Sequence, residues 1–176
     1  NTVETLTVLE NAKKSKAKII VFSSGGKCEE LCKKNNTEYY KIKKIHSPRA
    51  SFVTFLFSML KIFQNVISLK IDDVNEAIDE LEKLKIKIAG NNLTNTNPAI
   101  KLAKNITNIP LIYYPHGLES AAVRFKNSLQ ENAKIHVISE DVVEASHNGI
   151  VAWEKESLIE PILIEGKDDY EKTKER

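Results

Sequence analysis

Cysteine, methionine, tryptophan and glycine are all scarce in this chain. Its 176 residues include two cysteines, one methionine, one tryptophan and six glycines. Two cysteines cannot form the disulfide framework on which small secreted domains depend. Cys28 and Cys32 lie four positions apart in a predicted helix, which disfavours a disulfide, and no nearby histidine or further cysteine completes a zinc site. We therefore expect two reduced thiols in a cytoplasmic protein.

An excess of charge of one sign is also absent. The chain has 26 Lys and Arg against 24 Asp and Glu, a net charge of +2, whereas a dedicated nucleic-acid binder carries a clustered basic face. No apolar run reaches the about 20 residues that cross a bilayer, because the longest candidate, residues 50–69, is interrupted by polar side chains. The first residues, NTVETLTVLENAKKSK, lack the features of a secretory signal. The sequence predicts neither a nucleic-acid nor a membrane partner.

What the chain does have is an alternation of β-branched apolar runs and segments of helical period. Apolar residues make up 41% of it, enough for a packed core. The predicted strands are 17–24, 38–42, 109–114, 136–139 and 157–165. The predicted helices are 2–15, 27–34, 50–66, 72–88, 98–106, 118–131 and 141–145. This order favours an α/β fold of two small three-layer units with parallel sheets, joined by helices.

Two of the predicted helices carry continuous apolar stripes. The stripe from Phe52 to Phe63 predicts a helix that is buried on most of its surface, between two subdomains or two subunits. In the charged helix of 72–88, the residues expected to face inward are Val74, Ile78 and Leu81.

Four polar residues lie at the ends of elements, where α/β folds place their ligands, although the common short catalytic motifs are absent. Thr2 can either cap the first helix or hold a phosphate together with free backbone N–H groups. Arg49 is either a solvated charge or an anion ligand beside a buried helix. Glu131 closes a helix, where a carboxylate opposes the macrodipole, and is either solvated or functional. His147 lies in a predicted loop ahead of an apolar segment.

These residues fall within a collinear resemblance to a known family. The stretch RFKNSLQENAKIHVISEDVVEASHNGIVAWE, from Arg124 to Glu154, resembles the signature region of the bifunctional phosphoglucose/phosphomannose isomerases. That region typically reads R-W-K-x-Q-x-N-E-N-x-K and then N-H-N-E-I-x-G-W. Glu131 and His147 stand at its glutamate and histidine, and Gly149 replaces a common glutamate. The segments NTVETL, VFSSGGK, SPRA and NPA resemble the family's S-x-S-G-N-T-x-E-T, T-S-G-G-x-L, P-R-A-A and N-P-A-K.

The resemblance implies a fold of two sugar-isomerase (SIS) subdomains. It places the C-terminal part of the first subdomain in residues 1–70, a linking helix in 71–92 and the second subdomain, incomplete at its C-terminus, in 93–176. The chain begins within the family's phosphate loop and ends before a lysine near the family's C-terminus. We therefore expect it to correspond to the middle of an isomerase.

The resemblance also implies a reaction, the interconversion of glucose 6-phosphate and/or mannose 6-phosphate with fructose 6-phosphate through a cis-enediolate. Glu131 would be the base that moves a proton between C1 and C2, and His147 would assist ring opening across the interface of a homodimer. Arg49 would stabilise the enediolate oxygens, and Thr2 would hold the phosphate. No metal and no cofactor is implied.

Two other interpretations stay open on the residues. A non-catalytic SIS module would bind sugar phosphates without isomerising them. An α/β interaction domain would use the apolar helix from Phe52 to Phe63 as a dimer face, and changes at Arg49 and His147 would then affect neither binding nor rate.

Overall fold

Parallel strands alternating with helices build the chain, whose residues 2–174 are described by a computed structural model. The chain divides into two units, Asn1–Ala77 and Ile78–Arg176. Each unit contains one sheet, and every strand pair in both sheets is parallel. The predicted α/β class with parallel sheets is therefore confirmed. The predicted subdomain bounds of 1–70, 71–92 and 93–176 stay a prediction.

The first unit is built around a βαβ arrangement. Its elements in chain order are α1 (Val3–Ala12), β1 (Ile20–Ser23), α2 (Lys27–Lys34), β2 (Glu38–Lys41), a 3-10 helix (Pro48–Ser51), α3 (Phe52–Phe63) and α4 (Ile71–Lys87), within which the division between the units falls. Strands β1 and β2 pair from Ile20 with Glu38 to Ser23 with Lys41. The predicted strands and helices of this region are all present: α2 has its predicted bounds, α4 is shifted by one residue, and the others are shorter than predicted.

A glycine turn connects β1 to α2. Gly25 and Gly26 have φ values of 127° and 70°, a region that side chains with a Cβ avoid. The Ser23 hydroxyl accepts a hydrogen bond from the Gly25 N–H (3.1 Å) and donates to the Gly25 carbonyl (3.0 Å), which fixes the turn. On α2, Cys28 and Cys32 are buried thiols, and burial raises the pKa of Cys32.

Helices α3 and α4 are much more exposed than their apolar stripes predicted. On α3, Phe52 is 40% exposed and Leu56 and Met59 are each 39% exposed, and no residue of this helix is fully buried. The two-stranded sheet offers α3 only a narrow surface, which Phe63 reaches by packing near Phe22, with ring centroids 6.4 Å apart. On α4, Ile78 and Leu81 face solvent. Within the single chain described, α3 is not buried on most of its surface, and Ile78 and Leu81 are not directed inward. Burial of α3 between two subdomains or two subunits stays a prediction.

The second unit is a three-stranded parallel sheet with helical connections. Its elements in chain order are α5 (Pro98–Asn105), β3 (Ile109–Tyr114), α6 (Glu119–Ser128), a π-helical turn (Leu129–Ala133), β4 (Ile138–Asp141), α7 (Val142–His147), a 3-10 helix (Gly149–Glu154), β5 (Ile159–Leu163) and α8 (Glu171–Lys174). The strand order is β4-β3-β5. Strand β4 lies two residues later than predicted, because the residues that follow the π-helical turn reach the sheet only at Ile138, opposite Leu111.

The core of the second unit lies between β3 and α6. Ile112 and Ala122 are completely buried and Val137 is 6% exposed. At the amino end of the sheet, the Glu160 carboxylate accepts hydrogen bonds from the Thr107 backbone N–H (2.8 Å) and the Asn108 amide (3.1 Å), which joins β5 to the residues ahead of β3. Over residues 2–174, no helix has both the length and the apolar character that spanning a membrane requires.

Candidate active site

Glu131 lies in the π-helical turn Leu129–Ala133, at the end of α6. The sequence predicted a regular helix as far as Glu131, but the α-helical pattern stops at Ser128. The Asn132 side-chain amide donates to the Ser128 carbonyl at 2.8 Å, and Lys134 ends the turn in the left-handed region with φ of 61°. Glu131 is therefore presented, exposed, from a widened turn of a kind that occurs frequently at functional sites.

His147 is the last residue of α7, not the loop residue that the sequence predicted. Asp141 caps this short helix, because its carboxylate accepts from the backbone N–H groups of Val143 (2.8 Å) and Glu144 (3.3 Å). The helix continues two residues beyond the predicted end at Ala145. His147 is exposed and borders an open surface depression lined by Val143, Ser146, His147 and Ile150.

The segment after His147 is held on the sheet by a hydrogen bond between two aromatic side chains. The Trp153 indole N–H donates to the Tyr113 hydroxyl at 3.0 Å, and both side chains are half-buried. Small cavities of about 140 and 120 Å³ lie beside this pair. The bond joins the 3-10 helix to β3 and so restrains the chain that follows His147.

Gly149 leaves room beside a carboxylate. A Cβ built at Gly149 would lie 3.6 Å from a Glu140 oxygen and 3.7 Å from the Ala145 Cβ, which is ordinary contact. The neighbouring Asn148 donates from its amide to Glu144 at 2.8 Å. The Glu140 carboxylate thus lies next to the position that the first carbon of an acidic side chain at residue 149 would occupy.

Thr2 is the N-cap of α1, which is the first of the two roles predicted for it. Its hydroxyl lies 3.0 Å from the Thr5 hydroxyl and accepts from the Thr5 backbone N–H at 3.4 Å. The first turn also contains Glu4, whose pKa is lowered by a hydrogen bond from its own backbone N–H and by one from Thr2. Hydrogen-bond donors at the start of α1 therefore already bind the Glu4 carboxylate. A role of Thr2 in holding phosphate stays a prediction.

Arg49 is exposed and lies in the 3-10 helix Pro48–Ser51, directly ahead of α3. The Ser51 hydroxyl donates to the Ser47 carbonyl at 3.3 Å and closes this turn. The hydroxyl oxygen of Ser47 is buried, and no described group is positioned to form a hydrogen bond with it. Buried hydroxyl groups without a partner are uncommon. This observation distinguishes the loop around Arg49 from an ordinary surface turn.

The four candidate residues occupy four different elements. Thr2 and Arg49 belong to the first unit, and Glu131 and His147 belong to the second. Helix α6 runs back from the carboxyl end of β3, so that Glu131 lies toward the amino end of β4, whereas α7 starts at the carboxyl end of β4. The second unit therefore does not bring Glu131 into the depression that His147 borders.

Three features of this region were not predicted from the sequence. They are the π-helical turn at Glu131, the Trp153–Tyr113 hydrogen bond and the position of Glu140 beside Gly149. Hydrophobic periodicity carries no signal for any of them, since each depends on a partner distant in sequence or on one extra residue in a helical turn. No group of three or more potential metal-binding side chains occurs in residues 2–174.

Similarity to known proteins extends over nearly the whole chain. A bifunctional phosphoglucose/phosphomannose isomerase from Caldicellulosiruptor bescii is 29% identical, over 98% of this chain and 53% of the relative. One of the same name from Thermoplasma acidophilum is 33% identical, over 84% of this chain and 44% of the relative. A D-glucosamine-6-phosphate 4-epimerase from Sulfolobus acidocaldarius is 27% identical, over 93% of this chain and 52% of the relative.

The chain thus spans about half the length of the curated relatives it matches. Residues 95–176 match the family described as bacterial phospho-glucose isomerase C-terminal SIS domain. This segment starts just ahead of α5 and includes every strand of the second unit, together with Glu131 and His147. The resemblance to the bifunctional isomerases is confirmed, and residues 95–176 are similar to the bacterial phospho-glucose isomerase C-terminal SIS domains.

Proposed function

We propose that the protein carrying this chain is a cytoplasmic sugar-phosphate isomerase that interconverts glucose 6-phosphate and/or mannose 6-phosphate with fructose 6-phosphate. The observation that carries the proposal is the π-helical turn around Glu131. A widened turn follows the end of α6 and contains the one carboxylate that the family resemblance implies as the base. The names of the similar proteins support the same class of substrate.

The proposed chemistry moves one proton between two carbons. After His147 has assisted ring opening by proton transfer at the ring oxygen, the Glu131 carboxylate takes the proton from C2 of the aldose. Electrons from the C–H bond form the cis-enediolate, whose negative oxygens Arg49 stabilises. A proton passes from the C2 hydroxyl to the oxygen on C1 of the enediolate, and Glu131 then returns its own proton to C1, which gives the ketose. Thr2 holds the phosphate away from the reacting carbons.

A homodimer is part of the proposal, with His147 supplied across the subunit interface. Its support is the topology of the second unit, in which Glu131 lies toward the amino end of β4, whereas α7, which ends at His147, starts at the carboxyl end of β4. A second copy can bring its His147 to the Glu131 of the first. No metal or cofactor takes part in the proposed steps.

Glu131→Gln in the whole protein carrying these residues tests the role of the base. The amide keeps the shape of the side chain but cannot accept the C2 proton, so kcat should fall about 100- to 10,000-fold while KM changes little. Glu119→Gln is the matched control, because Glu119 is an exposed carboxylate in the first turn of the same helix. A coupled assay with both aldose phosphates measures the rates. A Glu131→Gln protein with the rate of the parent would disprove the assignment.

Epimerisation at C4 is a second candidate, favoured by the similarity to the 4-epimerase. The two reactions are separated by NMR of the product, since isomerisation from glucose 6-phosphate in D₂O places deuterium at C1 of the ketose. Epimerisation changes the configuration at C4 and leaves an aldose. Binding of glucose 6-phosphate by calorimetry without either product would instead identify a non-catalytic SIS module.

A further inference from the structure

Helix α4 leaves a long apolar stripe in solvent. The exposed fractions along it are 68% for Ile71, 40% for Ile78, 53% for Leu81, 44% for Leu84 and 41% for Ile88. Ile88 continues the helical hydrogen bonding, because its N–H donates to the Leu84 carbonyl. Contiguous exposed apolar surface on a folded protein marks a contact site. All of these residues belong to one helical segment.

The spacing of the stripe is that of a helix that packs against another helix. Apolar residues at 71, 74, 78, 81 and 88 are separated by three and four positions, with Lys85 at the remaining position of the series. Alternating steps of three and four keep one seam of an α-helix directed at a neighbouring helix. The seam therefore fits a helical partner better than a flat sheet.

The charges of α4 are segregated along its axis. The six carboxylates, in the first two-thirds of the helix, are Asp72, Asp73, Glu76, Asp79, Glu80 and Glu82. The three lysines, in the last third, are Lys83, Lys85 and Lys87. A helix with one acidic end and one basic end is complementary to its own copy running in the opposite direction.

We propose that α4 pairs antiparallel with α4 of a second copy of this chain. A two-fold axis between positions 79 and 80 places Ile78 opposite Leu81 of the partner subunit and Ile71 opposite Ile88 of the partner subunit. Such a contact is self-complementary, as a two-fold symmetric interface requires. It gives the proposed homodimer a contact surface and does not depend on the isomerase activity.

Electrostatics decides the direction of the pair. In the antiparallel arrangement, Lys85 lies opposite Val74 of the partner subunit, within its acidic end. A parallel arrangement in register would bring Lys85 against Lys85 of the partner subunit and Asp72 near its own copy. Like charges at these separations repel, whereas opposite ones attract within the Debye length of about 8–10 Å.

The first experiment measures the oligomeric state of the full chain by light scattering over a dilution series. Ile78→Glu with Leu81→Glu should raise the dimer dissociation constant at least about 100-fold, because four carboxylates would enter the centre of the seam. Leu93→Glu with Leu158→Glu is the control, since these residues are 78% and 72% exposed and lie outside α4. Because all four positions are exposed, the variants should fold, and far-UV circular dichroism confirms it. Equal dissociation constants for the folded α4 variant and the parent would overturn the proposal.

The second experiment tests direction by mild oxidation of cysteine variants. Ile71→Cys mixed with Ile88→Cys should give a disulfide-linked heterodimer, because the two positions face each other across the antiparallel pair. Ile71→Cys alone should stay unlinked, since its two copies would lie at opposite ends of a helix that is about 25 Å long. The native Cys28 and Cys32 are buried, and mass spectrometry of the cross-linked peptide identifies the bond. Linkage of Ile71→Cys to itself would overturn the antiparallel arrangement.

These readouts are independent of the isomerase assay. A dimer that α4 variants disrupt, in a protein without isomerase activity, would refute the proposed function alone. An active isomerase whose dimer is unaffected by the α4 variants would refute this proposal alone.

Discussion

Replacing Tyr113 by Phe removes one oxygen atom and tests whether the Trp153–Tyr113 hydrogen bond stabilises the segment after His147. The indole N–H of Trp153 now donates to the Tyr113 hydroxyl at 3.0 Å. In the variant it faces a cavity of about 140 Å³ whose lining includes Val142, Ala145 and Leu163. A hydrogen bond between neutral groups contributes about 1 kcal/mol, and a donor left without a partner costs about 1–3 kcal/mol. Since both side chains are half-buried, we expect a loss of about 1–2 kcal/mol.

Urea unfolding followed by tryptophan fluorescence measures this loss directly. Trp153 is the only tryptophan in the chain, so the signal reports on its own surroundings in the second unit. Tyr170→Phe is the control, because Tyr170 is 69% exposed and should change the midpoint little. In a thermal scan the Tyr113→Phe midpoint should fall by about 2–4 °C for each kcal/mol lost. If Tyr113→Phe, like Tyr170→Phe, has the same urea midpoint as the parent, the hydrogen bond contributes nothing to stability. The restraint on the segment after His147 would then be refuted.

Three further predictions concern stability. Ile112→Ala, at a fully buried position on the central strand, should lower the free energy of unfolding by about 2–5 kcal/mol, and urea midpoints equal to the parent would contradict the assigned core. Hydrogen bonds from Thr107 and Asn108 lower the pKa of Glu160 below 4.5, so its stabilisation is present above that pH and is lost as the pH falls through the folded pKa. The stability difference between the parent and Glu160→Gln should therefore be constant near neutrality and shrink below about pH 4.5 in urea titrations; a difference independent of pH would exclude this contribution. Lys134→Gly should raise the thermal midpoint, because Lys134 has φ of 61° and a glycine avoids a cost of about 1 kcal/mol, whereas Lys134→Val should lower it.

The sequence predicts the parallel α/β class because its strands are short apolar runs with clear boundaries. The prediction for β3 coincides with the structure at both ends, since IPLIYY is enclosed by a polar segment and the turn that contains Gly117. The prediction for α2 also coincides, because Gly26 and Asn35 delimit it. Local chemistry suffices where a turn residue marks each end.

Burial is less predictable than secondary structure, as α3 shows. The stripe from Phe52 to Phe63 identifies an α-helix correctly, but periodicity reports only that one face is apolar. Whether a face is covered depends on the area of the surface against which it packs. The sheet of the first unit has two strands and leaves Phe52, Leu56 and Met59 partly in solvent.

The candidate site shows a similar contrast between what the sequence predicts and what it does not. The residue types and order that resemble the isomerases identify Glu131 and His147, and the family match of residues 95–176 agrees with that resemblance. The conformations around them were not predicted, because the π-helical turn depends on one extra residue in a helical turn and hydrophobic periodicity did not show that α7 continues to His147. Their catalytic roles, and those of Thr2 and Arg49, stay predictions.

The π-helical turn also has a genetic consequence. A turn of this kind corresponds to an α-helix that has gained one residue, and one residue rotates the helix surface by about 100°. Loss of the single codon for Leu129 or Gln130 would restore regular helical bonding and turn Glu131 onto another face, while the core contacts of Ala122 would remain unchanged. One in-frame deletion would thus be enough to point the proposed catalytic base in another direction. That is a far shorter step than building a carboxylate site from new residues.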